Sequence, residues 1–221
     1  MIEKDSTSEA WIESLKLFTG SDRLNRFDSR LGPCVEIEDL LIKVRRPRSN
    51  EDLGHLYQHT TSAIIDSYGN GFLDPNNIEN STNSKRLYAW MKGCSQDAEQ
   101  VSESSSLDQI SRVIDRLKKE PESRYNIVIF WDPEIDWTHP NPVSPLSAHF
   151  RIRSKRLHST LAIRSVDAWL GALPMFMGFT RLHEHLARRT NHQVGTVTFF
   201  TMSYHIYEMD LPMIQDLPEV E

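Results

Sequence analysis

Residues 157–174, LHSTLAIRSVDAWLGALP, and residues 194–212, VGTVTFFTMSYHIYEMDLP, decide the fold of this chain. In the first segment Leu157, Ser159, Leu161 and Ile163 alternate with His158, Thr160, Ala162 and Arg164, the period-two pattern of a strand with one buried face. After a turn at Gly171 and Pro174, Met175, Phe179, Leu182 and Leu186 recur at helical spacing, and Arg188 and Arg189 fall in the last turn, where the helix dipole favours cations. The second segment reads as another strand, with Phe200, Met202, Tyr204 and Ile206 on one face and Ser203, His205 and Tyr207 on the other. The polar faces of the two strands offer Arg164, Ser165, Asp167, His205 and Tyr207. A guanidinium, hydroxyls, a carboxylate and an imidazole suit an anion joined to a hydroxylated ring, as in a nucleotide.

Bulk properties set the frame around that core. A chain of 221 residues suits one domain, expected over 1–221 with a polar, loop-rich insertion at about 69–106. A net charge of −6 speaks against a nucleic-acid backbone as partner, since that surface calls for a basic footprint. Cys34 and Cys94 are too few for a disulfide framework and lack metal-ligand spacing. No apolar run approaches the ~18 residues that span a bilayer, and MIEKDSTSEAW carries no apolar signal core, so a cytoplasmic protein without membrane contact is expected.

Along the chain, 7–18 reads as a helix with Trp11, Leu15 and Phe18 on its buried stripe, followed by a charged loop, SDRLNRFDSRLGP. A strand is expected over 34–44 and a helix over 53–68. From 69 to 106 the text is rich in Asn, Ser and Gly, and only KRLYAWMK has the apolar content to pack. Leu107, Ile110, Val113, Ile114 and Leu117 outline an amphipathic helix ended by Pro121, and 127–131 reads as a buried strand. The loop WTHPNPV leads to Ser144 and a strand carrying Leu146, Ala148, Phe150 and Ile152. The run His183-Glu184-His185 lacks the two-histidine spacing of a helical metal site and reads as a solvated face; no metal site is expected.

RSVDAWLGALP, a helix, then SYHIYE is an order that resembles the thymidylate synthase and deoxycytidylate hydroxymethylase family, particularly its short archaeal-type members. SLDQISRVIDRLKKEPESRYNIVIFWDPE and SEAWIESL extend the resemblance upstream. It implies the thymidylate synthase α/β fold, a mixed, largely antiparallel sheet flanked by helices, in a homodimer formed through the sheet face. It also implies 5,10-methylenetetrahydrofolate as one-carbon donor and a nucleotide or nucleotide-like molecule as acceptor.

The family's residues carry over one at a time. Arg164 and Ser165 match the phosphate-binding pair, Asp167 the aspartate facing the pterin, and His205 and Tyr207 the pair on the sugar hydroxyl. Arg30 matches the loop arginine that folds over the phosphate, with Arg23 and Arg26 as alternatives. Of two adjacent arginines that cross the dimer, Arg124 stands and Tyr125 replaces the other. Ser144 falls on the nucleophilic cysteine, either as a hydroxyl nucleophile, with His149 or His158 as candidate bases, or as an ordinary strand-start serine. Phe176 falls near the amide that reads the base, and Asn83 where a proton-relaying tyrosine would stand. Two functions remain open on this reading. One is a divergent methyl or hydroxymethyl transferase of specialised metabolism, making something other than thymidylate; the other is a non-catalytic nucleotide binder.

Overall fold

The computed structural model of the chain describes residues 1–19, 24–51, 62–76, 81–90, 106–215 and 217. Its centre is a sheet of β1 (Ile2–Lys4), β2 (Asn25–Ser29), β3 (Gly32–Val44), β4 (Ile127–Ile129), β5 (Pro145–Arg153), β6 (Arg156–Asp167) and β7 (Gln193–Tyr207). Their spatial order is β1-β3-β7-β6-β5-β4, with β2 paired to β3. The β1/β3 and β6/β7 pairs are parallel and the other four antiparallel, so the sheet is mixed and largely antiparallel, as expected.

Helices cover one face. The parallel connection from β6 to β7 runs through α6 (Ala172–Arg189), which buries Met175, Phe176, Phe179, Leu182 and Leu186. Phe179 meets Phe150 of β5 and Phe199 of β7 at ring-centroid distances of 6.0 and 6.1 Å. At the other end, α1 (Thr7–Lys16) starts with a reciprocal capping box between Ser6 and Glu9. Its Trp11 stacks on Trp169 at 5.9 Å and donates its indole N–H to the Ala168 carbonyl at 2.7 Å. That bond ties the first helix to the turn that follows Asp167.

The expected single apolar face of the second strand is corrected here. Val197, Phe199 and Thr201 are buried, whereas Met202 is 40% exposed and burial resumes on Tyr204 and Ile206. The change of parity is shared by neighbouring strands. In β6 the buried set passes from Leu157, Ser159, Leu161 and Ile163 to Val166. Register pairs Ile163 with Thr201 and then Ser165 with Ser203, leaving out Arg164 and Met202. Across β3 it passes from Leu40–Thr201 to Glu38–Ser203, leaving out Asp39, whose φ is +52°. A register shift between Pro145 and Ser147 continues the row into β5. Because strand side chains alternate, one such irregularity exchanges the faces. Continued alternation would have pointed Ser165, Asp167, Ser203, His205 and Tyr207 into the core; the row of interruptions turns them out.

Other expectations change as well. The charged loop contains strand β2, paired with β3 in a hairpin, because Phe27 and Cys34 face each other in register. α2 (Ser62–Leu73) runs past Tyr68 through Gly69-Asn70-Gly71, against the low helix propensity of glycine, with Phe72 fully buried against Phe130 and Phe179. Residues 53–61 of the expected 53–68 helix lie outside the described residues, as do 77–80 and 91–105 of the polar stretch, including Cys94. Between them α3 (Thr82–Tyr88) is a helix held by a buried cation: Arg86 pairs with Asp132 at 3.1 Å and Asp136 at 3.3 Å. α4 (Gln109–Lys119) and the short α5 (Pro133–Asp136) complete that layer. The 127–131 strand is an edge strand, with Val128 buried but Ile127 and Ile129 50% and 42% exposed. The His183-Glu184-His185 run is no solvated face either. His183 is fully buried and its Nδ1 meets Ser159 Oγ at 2.6 Å, while Glu184 accepts from the Ser49 backbone at 3.1 Å.

Candidate functional site

The residues turned out by the interrupted strands meet the β2–β3 turn and the 140–144 loop in a cleft of about 450 Å³. Arg30, Ser144, Arg164, Ser165, Asp167, His205 and Tyr207 all line it. Seven of the site residues expected from sequence, the first at position 30 and the last at 207, therefore share one cavity of ligand size.

Two arginines brace the loop that carries Ser144. Arg164 donates from Nε to the Val143 carbonyl and from Nη2 to the Pro142 carbonyl, each at 2.8 Å, and its backbone N–H reaches Ser144 O at 2.9 Å. From the opposite side Arg30 Nη1 donates to Pro140 O at 2.7 Å. A guanidinium carries five N–H donors, so each arginine keeps donors for an anion while holding the wall. Of the alternatives to Arg30, Arg26 is committed elsewhere, to Glu208 at 2.6 Å, and Arg23 lies outside the described residues.

Asp167 closes a tight turn: its Oδ1 accepts from the Trp169 and Leu170 N–H groups at 2.9 and 3.2 Å. Its carboxylate lines the cleft without a cation paired to it among the described residues. His205 Nδ1 lies 3.3 Å from Ser165 Oγ, and its ring sits edge-on to Tyr207 at 5.5 Å. Burial pushes the His205 pKa below its ordinary value, against the pull of Asp167 and Glu36, so the imidazole is neutral near pH 7 and offers one donor and one acceptor.

Several expectations need correction. Phe176 does not reach the cleft; it is fully buried with its ring stacked 4.0 Å from Phe199, because helical spacing places it on the sheet-facing stripe. The side chain of that turn which lines the cleft is Met175. His149 and His158 do not line the cleft either. His149 pairs with Ile127 in β5, and His158 Nδ1 is occupied by the Thr196 hydroxyl and backbone N–H at 2.9 and 3.1 Å. Neither can serve Ser144 as a base. Arg124 and Tyr125, expected to serve a neighbouring subunit's site and not this one, do not line this cavity; Tyr125 is 71% exposed beside β4.

Among the cleft residues that were not foreseen, three more bear on its chemistry. Cys34 lines the cavity with its thiol directed at the Phe27 carbonyl, 3.6 Å away, and burial raises its pKa, which keeps it protonated. Tyr68 enters from α2, with burial and Asp167 raising its phenol pKa. The helix expected from sequence ends at Tyr68, with no role in the site for that residue. Asn141 enters from the proline-flanked loop. Tyr68, Asn141, Pro142, Ser144 and Met175 also line a second cavity, of about 300 Å³, into which Asn83 of α3 faces.

No group of three or more His, Cys, Asp or Glu among the described residues is placed to hold a metal ion. No helix among them is long and apolar enough to cross a membrane.

A mixed α/β sheet flanked by helices, with a polar cleft at a row of strand interruptions, defines an α/β protein with a small-molecule-sized site. The chain belongs to the thymidylate synthase family, whose profile matches residues 37–219. It is a divergent member. A Methanosarcina mazei protein named "Putative thymidylate synthase" is 24% identical over 220 residues, covering 98% of this chain and 94% of the relative. One of the same name from Methanosarcina barkeri is 26% identical over 224 residues, with the same coverage. Another, from Methanothermobacter marburgensis, reaches 35% identity over 104 residues, 47% of each chain.

Proposed function

We propose that the whole chain, 1–221, is one catalytic unit that binds a nucleotide or nucleotide-like molecule and transfers a one-carbon unit to it, without making thymidylate by the usual route. The single observation that carries this reading is the gathering of Arg30, Arg164, Ser165, Asp167, His205 and Tyr207 around one cleft with Ser144 in its wall. In this reading the two arginines take the phosphate through their remaining N–H groups, supported by Ser165 Oγ. Neutral His205 and the Tyr207 hydroxyl, two positions apart on one face of β7, hold the sugar hydroxyl.

The cleft also suits a reduced folate. Asp167 offers a carboxylate acceptor to a pterin edge rich in N–H donors, and Leu170, 53% exposed beside it, offers apolar surface. When bound, 5,10-methylenetetrahydrofolate supplies a one-carbon unit at the formaldehyde oxidation level. Asp167 would orient it, and Tyr68, a neutral phenol, could donate to an acceptor on either ligand.

A serine in place of a thiol is the main obstacle to standard chemistry. A thiolate adds to a pyrimidine and leaves readily, whereas a hydroxyl needs a positioned base and leaves poorly. Among the described residues, the one imidazole lining the cleft is His205, already beside Ser165. That observation also supports a second reading, a nucleotide binder that no longer does chemistry.

The readings separate in a tritium-release assay with deoxyuridylate and in binding assays with reduced folate. No exchange of the C5 hydrogen by the wild type is expected, with or without folate; robust release refutes the departure from standard synthesis. Folate binding with release of a folate product supports transfer, and nucleotide binding alone supports the binder. The resemblance further leads to a homodimer in which Arg124 serves the neighbouring site. A monomer by light scattering, with ligand affinity intact, would remove that assignment.

A further inference from the structure

The two cavities that meet at Ser144 differ in charge. The main cleft holds Arg30, Arg164 and Asp167. The second, between α2, α3 and the 141–145 loop, has no charged side chain among the described residues that line it: they offer hydroxyls from Ser67, Tyr68 and Thr82, the amides of Asn83 and Asn141, and apolar Met175. Neither amide side chain nor the Tyr68 hydroxyl bonds to another described residue, so all three keep their donors and acceptors for something else. Elsewhere in this region the polar groups are spent. Ser84 Oγ donates to the Asp74 carbonyl, and Tyr88 Oη to the Phe72 and Leu73 carbonyls at 3.0 and 3.2 Å.

The chamber walls are held by close contacts that only glycine permits. A Cβ on Gly71 would stand 2.8 Å from Ser81 Oγ, and one on Gly178 would stand 3.0 Å from the Tyr68 carbonyl carbon and oxygen. α2 is thus pressed against both α3 and α6, which fixes Tyr68 and Asn83 across the chamber from the Asn141 loop.

We infer that this neutral chamber seats the uncharged heterocycle of the ligand, with Asn83 as its specificity-determining residue. The inference rests on the proposal that the adjoining cleft takes a phosphorylated sugar. A ligand with its anion at Arg30 and Arg164 then passes Ser144 and places a planar ring, edged by amide-type donors and acceptors, between Asn83 and Asn141. A carboxamide presents both a donor and an acceptor, so it pairs with a ring edge that offers the complement. Met175 supplies the apolar contact for the ring face. The amide that reads the ring thus comes from α3, not from the first turns of α6 where Phe176 stands.

The experiment measures binding by isothermal titration calorimetry with three probes: deoxyuridylate, deoxycytidylate and deoxyribose 5-phosphate, which lacks the ring. Asn83→Leu is expected to weaken the better-bound nucleotide at least about tenfold, through the loss of a ring-edge pairing, while leaving deoxyribose 5-phosphate unchanged. Asn83→Asp, nearly isosteric, is expected to shift the deoxycytidylate-to-deoxyuridylate affinity ratio about tenfold towards cytosine, whose amino group donates where uracil has a carbonyl. Should Asn83→Leu not fold, the ratio shift in Asn83→Asp decides alone. Equal effects on all three probes, or no effect on the nucleotides, overturn the role of Asn83 while leaving the cleft reading intact. Failure of the wild type to bind any probe refutes the cleft reading and this inference with it.

Discussion

Removing the Arg164 guanidinium should destabilise the protein even with no ligand present. The side chain makes two charge-assisted bonds, to the Val143 and Pro142 carbonyls, each at 2.8 Å. A hydrogen bond to a charged group contributes about 1.5–3 kcal/mol. The cleft is open, so freed carbonyls recover water, and the lower end applies to each. Arg164→Ala should therefore cost about 3 kcal/mol, or about 6–12 °C in Tm for a chain of this size. Arg164→Lys, which keeps one charge but loses the planar fork, should recover part of it. Scanning calorimetry on the ligand-free variants gives the answer. The alanine variant melting within 2 °C of the wild type would show that the guanidinium does not brace the Ser144 loop. A phosphorylated ligand should then weaken by a further ~1.5–3 kcal/mol beyond this, read against a nucleoside lacking the phosphate.

Acid should weaken the fold through His183. Folded, this imidazole is held down at about 3 by burial, while an unfolded histidine titrates near ~6.5. Above pH ~6.5 both states are neutral and nothing is lost; below it the unfolded chain takes the extra proton, costing up to about 1.4 kcal/mol per pH unit until about pH 3. Urea unfolding between pH 7 and 4.5 should show a flatter profile for His183→Gln, and an unchanged slope would exclude this source. Gly178→Ala should cost about 1–3 kcal/mol, since its Cβ would press the Tyr68 backbone and the Phe72 ring at 3.0 Å; a wild-type Tm would mean that α2 yields freely. Arg86→Ala should cost about 3–5 kcal/mol by stranding Asp132 and Asp136. Adding Asp132→Asn and Asp136→Asn should restore much of that loss, and no recovery would point to packing instead of charge.

The sheet and α6 were legible because their signals are local. Leu157 to Ile163 alternate cleanly, and Met175, Phe179, Leu182 and Leu186 keep helical spacing. The gathering of Arg30, Ser144, Arg164, Ser165, Asp167, His205 and Tyr207 was legible from their matches to a family pattern. What failed depended on tertiary contact. The extension of α2 through two glycines rests on Phe72 reaching Phe130 and Phe179, far away in sequence. The exchange of Met175 for Phe176 at the cleft turns on a rotation of one residue, about 100° on a helix, which spacing alone cannot phase. His183 looked solvated because its partner, Ser159, sits on a strand whose small polar side chain reads as neutral in a buried row. The parity exchange at Met202 was hidden because Phe200 and Met202 are apolar yet stand on the more open face.

The row of interruptions at Asp39, Met202 and Arg164 separates two kinds of freedom in the same strands. Beyond it, even-numbered Val166, Tyr204 and Ile206 answer to packing, while odd-numbered Ser165, Asp167, His205 and Tyr207 answer to whatever occupies the cleft. Chemistry can then drift by single substitutions that leave the interior untouched, so a lineage can change its ligand without passing through poorly folded ancestors. Insertions are the reverse case. One residue added or lost between Thr201 and Tyr204 would send the polar row inward and the apolar row outward at once, so this segment should tolerate new side chains far better than a new length.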